Sequence, residues 1–489
     1  MSKEIEKLLP DNAYWKYFLK ICSIPHPSGH EAALREYLAN EAEQHGLQVR
    51  IDDAGNLAID RQAAPGREDY PRIILQAHLD MVPQVAPGIE FDFLKDPIEP
   101  QLDGDWVTTG GKTTLGADDG MGVALAMELL TDKTLQCGAL RGVFTVSEET
   151  GLGGAEDIAP EFLNADILFN LDGSDVFTIG CAGGSRFEGN IKLDSTDVAP
   201  HSCGVKLWLR NMHGGHSGED IHRNLGSAVV ELGKFLTESA EEYGLQLAAV
   251  KAGSIYNAIA REGEAWAAIP ENAYPALAEK AASFAEQLNA ELIVEPGKKI
   301  ELTVSRLPDV PLKVLTAAEQ KKLFTLWSQM PHGLLATTPN GNSETSCNFA
   351  VVSGAAEELW NFTLLARSLY DTKRLEVTGN TVNLLQENGF DAKEISGYSS
   401  WEPQWDAPLL KKACDFYKAV TGKEAGKYVI HGGLEPGAFR AINPDLQMLT
   451  FAPDAQMVHS PQERLSVPDS EATRRLLREI VQRSNELTC

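Results

Sequence analysis

Two hydrophobic rhythms alternate along the chain, and the changes from one to the other mark its elements. Leu34, Tyr37, Leu38 and Ala42 recur at helical spacing until Gly46, behind a Ser28 and Glu31 capping-box pattern, which predicts an amphipathic helix. Leu47, Val49 and Ile51 alternate with polar residues, Asp53-Ala54-Gly55 signals a turn, and Leu57 and Ile59 resume the alternation, as in a hairpin. Three short apolar runs suit strands buried on both faces: Ile73-Ile74-Leu75-Gln76-Ala77, Gly142-Val143-Phe144-Thr145-Val146 and Ile167-Leu168-Phe169-Asn170-Leu171. At their carboxyl ends they deliver His78-Leu79-Asp80, Ser147-Glu148-Glu149 and Asp172. Helical patterning over 121–130 lies between the first two runs. Buried strands separated by helices predict an α/β domain with a mostly parallel sheet flanked by helices, whose ligands bind beyond the carboxyl ends of the strands.

After Gly180-Cys181-Ala182-Gly183-Gly184 the texture changes. That glycine cluster does not fit G-x-G-x-x-G and reads as a hinge or turn, not a nucleotide loop. Residues 186–396 show two consecutive sets of strand-helix-strand-strand-helix-strand patterning, each suited to a ferredoxin-like half. The first set holds a helix near 225–236 and a strand at 300–304, and the second a helix at 317–330, a strand at 359–366 and a helix at 377–388. Beyond Trp401-Glu402-Pro403 a helix at 409–420, the run Met448-Leu449-Thr450-Phe451 and a last helix with Leu476, Leu477, Ile480 and Val481 resume the first pattern. The expected organisation is therefore an α/β domain over 1–185 and 397–489, interrupted by an inserted α+β domain over 186–396.

Lys and Arg number 43 against 70 Asp and Glu, a formal charge of -27, which disfavours nucleic acid and anionic membrane as partners. The charged start Met1-Ser2-Lys3-Glu4-Ile5-Glu6-Lys7 lacks an apolar signal core, and no run approaches the ~18 apolar residues of a membrane span, so a cytoplasmic protein is expected. Cys22, Cys137, Cys181, Cys203, Cys347, Cys414 and Cys489 are odd in number and never spaced C-x-x-C, which points to thiols and away from a thiolate metal site.

The candidate chemistry starts at Leu115-Gly116-Ala117-Asp118-Asp119-Gly120. Two carboxylates roughly 4 Å apart in a partly buried cleft repel by about 4 kcal/mol at an effective dielectric near 20, so such a gathering calls for a cation. His78, Asp118, Glu149, Asp172 and the later His459 supply one carboxylate able to bridge and two further ligands for each of two metals. Mixed imidazole and carboxylate suits zinc, with manganese or cobalt as substitutes. Glu148 is the candidate general base, Asp80 is placed to fix the His78 tautomer, and Asp119 to hydrogen-bond the helix start.

His78-Leu79-Asp80, Gly116-Ala117-Asp118-Asp119-Gly120, Ser147-Glu148-Glu149-Thr150-Gly151, Leu171-Asp172 and His459-Ser460-Pro461 together resemble the co-catalytic zinc peptidases that include carnosinase, aminoacylase and glutamate carboxypeptidase. Ser23-Ile24-Pro25-His26-Pro27-Ser28, the stretch from Gln76 to Pro83 and His431-Gly432-Gly433-Leu434-Glu435 are similar to the bacterial aminoacyl-histidine dipeptidases of that superfamily. The resemblance implies a catalytic domain interrupted by a lid, with His78 and Asp172 on one zinc, Glu149 and His459 on the other, and Asp118 bridging. It further implies Glu148 as base, Asp80 as orienting carboxylate and His216 of Gly214-Gly215-His216-Ser217-Gly218 as a lid donor to the oxyanion. Asn257 and Arg367 would hold the substrate carboxylate, and Gly432 and Gly433 would let backbone approach the substrate. The expected substrates are unblocked dipeptides, Xaa-His among them, and the resemblance favours a homodimer. Gly173-Ser174-Asp175 carries less acid than relatives do there. The competing expectations are an N-acyl-amino-acid hydrolase or carboxypeptidase on the same scaffold, and a binding protein without activity.

Overall fold

The strand Ile73–His78 is buried at every position because it runs through the middle of an eight-stranded sheet. The computed structural model describes Ile5, residues 12–174 and residues 176–487; the rest of the charged start, Asp175 and Cys489 lie outside the described residues. The chain forms two compact units, Met1–Cys181 with Trp401–Val429 and Leu434–Cys489, and Ala182–Ser400 with Ile430–Gly433. Ile430–Gly433, which the patterning left with the first domain, thus groups with the second.

In the first unit the strands lie in the order Gln48–Ile51, Leu57–Arg61, Leu140–Thr145, Ile73–His78, Ile167–Asn170, Gln447–Thr450, Phe177–Cys181 and Lys427–Ile430. The four central strands are parallel, as expected of runs without polar alternation. On one flank Leu57–Arg61 pairs antiparallel with Leu140–Thr145 and makes the predicted hairpin with Gln48–Ile51, and on the other Phe177–Cys181 pairs antiparallel with Gln447–Thr450. Between the sheet and the helix Ala13–Cys22 runs the helix Ala117–Thr131, buried almost throughout because its sequence is apolar on every face. Its one buried charge past the first turn, Glu128, accepts a guanidinium fork from Arg474 on the helix Val467–Gln482, with Nε and Nη2 at 2.7–2.9 Å.

The capping box at Ser28 and Glu31 does not form. The helix begins at Ala32 without a side-chain cap, Ser28 donates to Asp80 at 2.7 Å, and Glu31 accepts from Gly29 and Ser147 backbone N–H groups. Long-range partners outcompeted the local motif. The glycine cluster at 180–184 is not a turn either, since Phe177–Cys181 and Gly183–Lys192 are successive strands. None of the described helices is long and apolar enough to cross a membrane, and no disulfide joins the described cysteines.

The second unit has a sheet in the order Glu301–Arg306, Ser202–Arg210, Gly263–Pro270, Gln246–Ala252, Ser343–Ala355, Leu359–Ser368, Gly183–Lys192, Asp391–Tyr398, antiparallel throughout. With the helices Ala228–Tyr243 and Tyr274–Glu291, the first four strands are one ferredoxin-like half. The last four form the other with the helices Ala317–Gln329 and Asp371–Glu387. The halves are nested, not consecutive as the patterning suggested. Gly183–Lys192 is the first strand of the outer half, and the whole inner half intervenes before that half's first helix. Local periodicity carries no record of so distant a pairing.

The halves join where Gln246–Ala252 pairs with Ser343–Ala355, and the chain leaves this joint through Gly253 at φ +73. A Cβ there would sit 1.9 Å from the Ala350 carbonyl oxygen. Gly253→Ala therefore meets both left-handed strain and a backbone clash, and is expected to cost about 3 kcal/mol or more, read as a lowered urea midpoint. Gly379→Ala, half-buried in a helix with open space around its Cβ, should be neutral or slightly stabilising in the same assay.

Candidate metal centre

His78 ends the central strand, 1% exposed, with its imidazole already committed on one side. Nδ1 lies 2.9 Å from the Asp80 carbonyl, which can only accept, so Nδ1 carries the proton and Nε2 presents a lone pair. The Asp80 carboxylate is farther from Nδ1, at 3.6 Å. Its oxygens accept from the Ser28 hydroxyl (2.7 Å) and the backbone N–H groups of Glu148 (3.0 Å) and Glu149 (3.2 Å), so the carboxylate holds the acidic pair, and the carbonyl, not the carboxylate expected from sequence, takes the histidine proton.

Asp118 faces the Nε2 lone pair, with Oδ1 3.0 Å from His78 and Oδ2 3.2 Å from Nε2 of His459. His459 Nε2 is also 3.0 Å from the Glu149 Oε1 oxygen. Two groups of potential ligand atoms share Asp118, namely His78, Asp118 and Asp172, and Asp118, Glu149 and His459, beside a third of His78, Glu148 and Glu149; the atoms of each lie within 4.8 Å of one another. The predicted five residues thus converge, and they divide at Asp118, one oxygen toward each group. Ligand atoms from imidazoles and carboxylates alone, gathered this closely, fit a pair of divalent cations. Asp118 and Asp119 are joined by a cis peptide bond, and Ser147 (φ 56) and His459 (φ 59) adopt left-handed backbone.

The electrostatics agree. Burial, reinforced by the charge of Asp118, pushes Asp172 up to about 8, and burial raises Glu148 well above the ordinary carboxyl range. Hydrogen bonds with Asp118 and Glu149 raise His459 to about 10. Against its own burial, Asp118 is held low by His459 and His78. Without a cation, this centre collects protons. Asp119 is 2% exposed and accepts from the backbone of His78 and Gly122, both at 3.2 Å, which places it at the helix start as predicted.

Two features escaped the sequence reading. Glu463, 2% exposed, accepts from the backbone of the Asp118 loop. A polar string also crosses the sheet beneath the ligands: Thr450 donates to Asn170, Asn170 to Gln76, and Gln76 to Glu435 and Thr145. Gln76 and Asn170 each precede a candidate ligand by two positions, so a lone amide inside an apolar run was the available signal.

The second unit holds the other predicted residues. His216 accepts from the Glu219 backbone at Nδ1 (3.3 Å), which puts its proton on Nε2, and burial with the nearby Arg367 charge lowers its pKa. Arg367 is 4% exposed, and its guanidinium donates to the hydroxyls of Ser217 (3.3 Å) and Tyr398 (2.5 Å). The Asn257 carbonyl accepts from the Ser217 backbone. A Cβ on Gly433 would lie 2.7 Å from the Tyr398 ring, and one on Gly432 3.9 Å from His216. His431, unassigned by sequence, hydrogen-bonds Ser346 through Nε2 at 2.8 Å, and burial pushes it down to about 3.

Residues 74–483 match the model of the family described as peptidase family M20/M25/M40. The chain belongs to this family, and is accordingly a peptidase, a hydrolase acting on peptide bonds. It is 36% identical over 468 residues to the cytosol non-specific dipeptidase of Escherichia coli K12, covering 95% of this chain and 96% of that one. The crystal structure of aminoacylhistidine dipeptidase from Vibrio alginolyticus superposes with a TM-score of 0.86 at 33% identity, over 98% of both chains. Human carnosine dipeptidase 1 shares the fold, with a TM-score of 0.51 at 12% identity over 99% of this chain and 98% of that one.

Asp118→Ala is expected to lower metal content at both groups, and His459→Ala at one, as read by elemental analysis after dialysis against zinc. Equal losses in the two variants would remove the bridging role.

Proposed function

We propose that the chain is a cytoplasmic di-zinc dipeptidase that hydrolyses unblocked dipeptides, Xaa-His and β-alanyl-histidine among them. The observation that carries this reading is the division of Asp118 between two ligand groups with Glu148 alongside. Membership of the peptidase family and the dipeptidase relatives support it. The name of the Escherichia coli relative supports cytoplasmic placement and breadth of substrate. That of the Vibrio enzyme supports acceptance of a carboxyl-terminal histidine.

In this reading His78 and Asp172 hold one zinc, Glu149 and His459 the other, and Asp118 both. Bound there, two dications supply a Lewis acid for the scissile carbonyl and water of lowered pKa. Glu148 takes the proton from the attacking water and returns it to the departing amine nitrogen as the C–N bond breaks. Asp80 keeps Glu148 aimed by holding its backbone N–H. His216, with its proton on Nε2, donates to the oxyanion. Arg367 donates to the neutral hydroxyls of Ser217 and Tyr398, leaving its charge to the substrate carboxylate, with Asn257 and the backbone of Gly432 and Gly433 beside it. A homodimer is the assembly proposed.

Hydrolysis of β-alanyl-histidine and leucyl-histidine, with and without an acetyl group on the amine, tests the reading. The free-amine forms should be cleaved, with activity lost on chelation and regained with zinc. Cleavage of the acetylated forms would instead identify an acylase or carboxypeptidase. Glu148→Gln is expected to keep both metals and lose about 10²–10⁴-fold in kcat. Arg367→Lys, which removes the planar fork, should raise KM for dipeptides more than it lowers kcat.

A further inference from the structure

Four consecutive backbone N–H groups converge on one carboxylate. Glu463 Oε2 accepts from Leu115 at 2.7 Å and Gly116 at 3.2 Å, and Oε1 accepts from Ala117 at 2.8 Å and Asp118 at 3.4 Å. Successive N–H groups around a left-handed residue form an anion-binding concavity, and Gly116 at φ +70 supplies that residue. Here the anion is the chain's own. The Glu463 backbone is itself tied to the Ser460 carbonyl at 3.0 Å, so the stretch 459–463 carries both a candidate terminal ligand and the occupant of the concavity.

We infer that Glu463 is the positioning residue for the bridging carboxylate. By occupying the N–H groups of 115–118 it removes the donors onto which Asp118 would otherwise fold back, and both Asp118 oxygens stay directed at His78 and His459. A short side chain next to vacant backbone donors closes a local turn in preference to reaching outward, as aspartates do at helix starts. Glu463 touches neither metal nor substrate, and acts through the shape of the loop. The role rests on Asp118 being the bridging ligand of the proposed di-metal centre, and it would make metal affinity depend on a residue outside the ligand set.

The test uses the full-length protein stripped of metal, as wild type, E463Q and E463D. Zinc is titrated against a competing chelator, stoichiometry is read by elemental analysis, and hydrogen exchange is followed over residues 113–121. Wild type should take up two zinc ions and protect the amides of 115–118 even without metal. E463Q should bind about 10–100-fold more weakly at both sites and lose that protection. E463D, with the carboxylate retained one methylene short, should fall between. If E463Q does not fold, E463D and the wild-type exchange pattern still decide. Wild-type zinc affinity in folded E463Q, even with a lowered melting temperature, would mean that Glu463 only supports the fold and would overturn the inference. So would unprotected amides at 115–118 in metal-free wild type. A wild type that takes up no zinc would defeat the di-metal reading and this inference with it, whereas two zinc ions bound equally by wild type and E463Q would defeat the inference alone.

Discussion

Lone pairs face lone pairs at the centre of the first unit. The Asp80 carbonyl takes the Nδ1 proton of His78, so that in the neutral imidazole the Nε2 lone pair faces Asp118, and Asp118 and Glu149 both crowd against His459. Such an arrangement is unfavourable in isolation, since carboxylates at close range cost free energy. The upward shift of Asp172 and Glu148 is the response of the protein alone, and divalent cations are the alternative that the donor set fits. The surrounding structure serves to hold this conflict in place.

Three buried parallel strands do most of that holding. Their carboxyl ends bring His78, the Ser147-Glu148-Glu149 turn and Asp172 to one edge, and the string from Thr450 through Asn170 and Gln76 ties adjacent strands together directly beneath. A hydrogen-bonded string in an apolar sheet is satisfied only in one register, so it also fixes the relative heights of the ligands above it. Asp80 performs the same service for the acidic turn, drawing Ser28 and two backbone N–H groups to one carboxylate.

The second unit shows a different economy. Two ferredoxin-like halves share one sheet through a single strand pair, and neither has an exposed edge where they meet. Trp327 packs edge to face on Phe349 and Phe362, which are tilted on each other, at ring separations of 5.1–6.4 Å, in a core drawn from strands and a helix of the outer half, while the Trp327 indole donates to Val229 of the inner half. This side-chain bond spans the joint, and Gly233 leaves room for the indole beneath it.

The sequence by itself determined the elements and the candidate ligand set. Runs such as Ile73 to Ala77 are apolar without alternation, which only a strand covered on both faces tolerates, and the acids and histidines at their ends had no bland explanation as a group. Tertiary structure alone decided which residues meet across long stretches of chain. Ser28 and Glu31 match a local cap, yet serve Asp80 and Ser147 instead. Gly183–Lys192 pairs with a half whose first helix lies beyond the inner half, and Glu463 reads as an ordinary acid four residues past His459. Local spacing records propensities over a few residues, whereas these partnerships are set by the burial of polar groups that must find donors wherever the fold brings them.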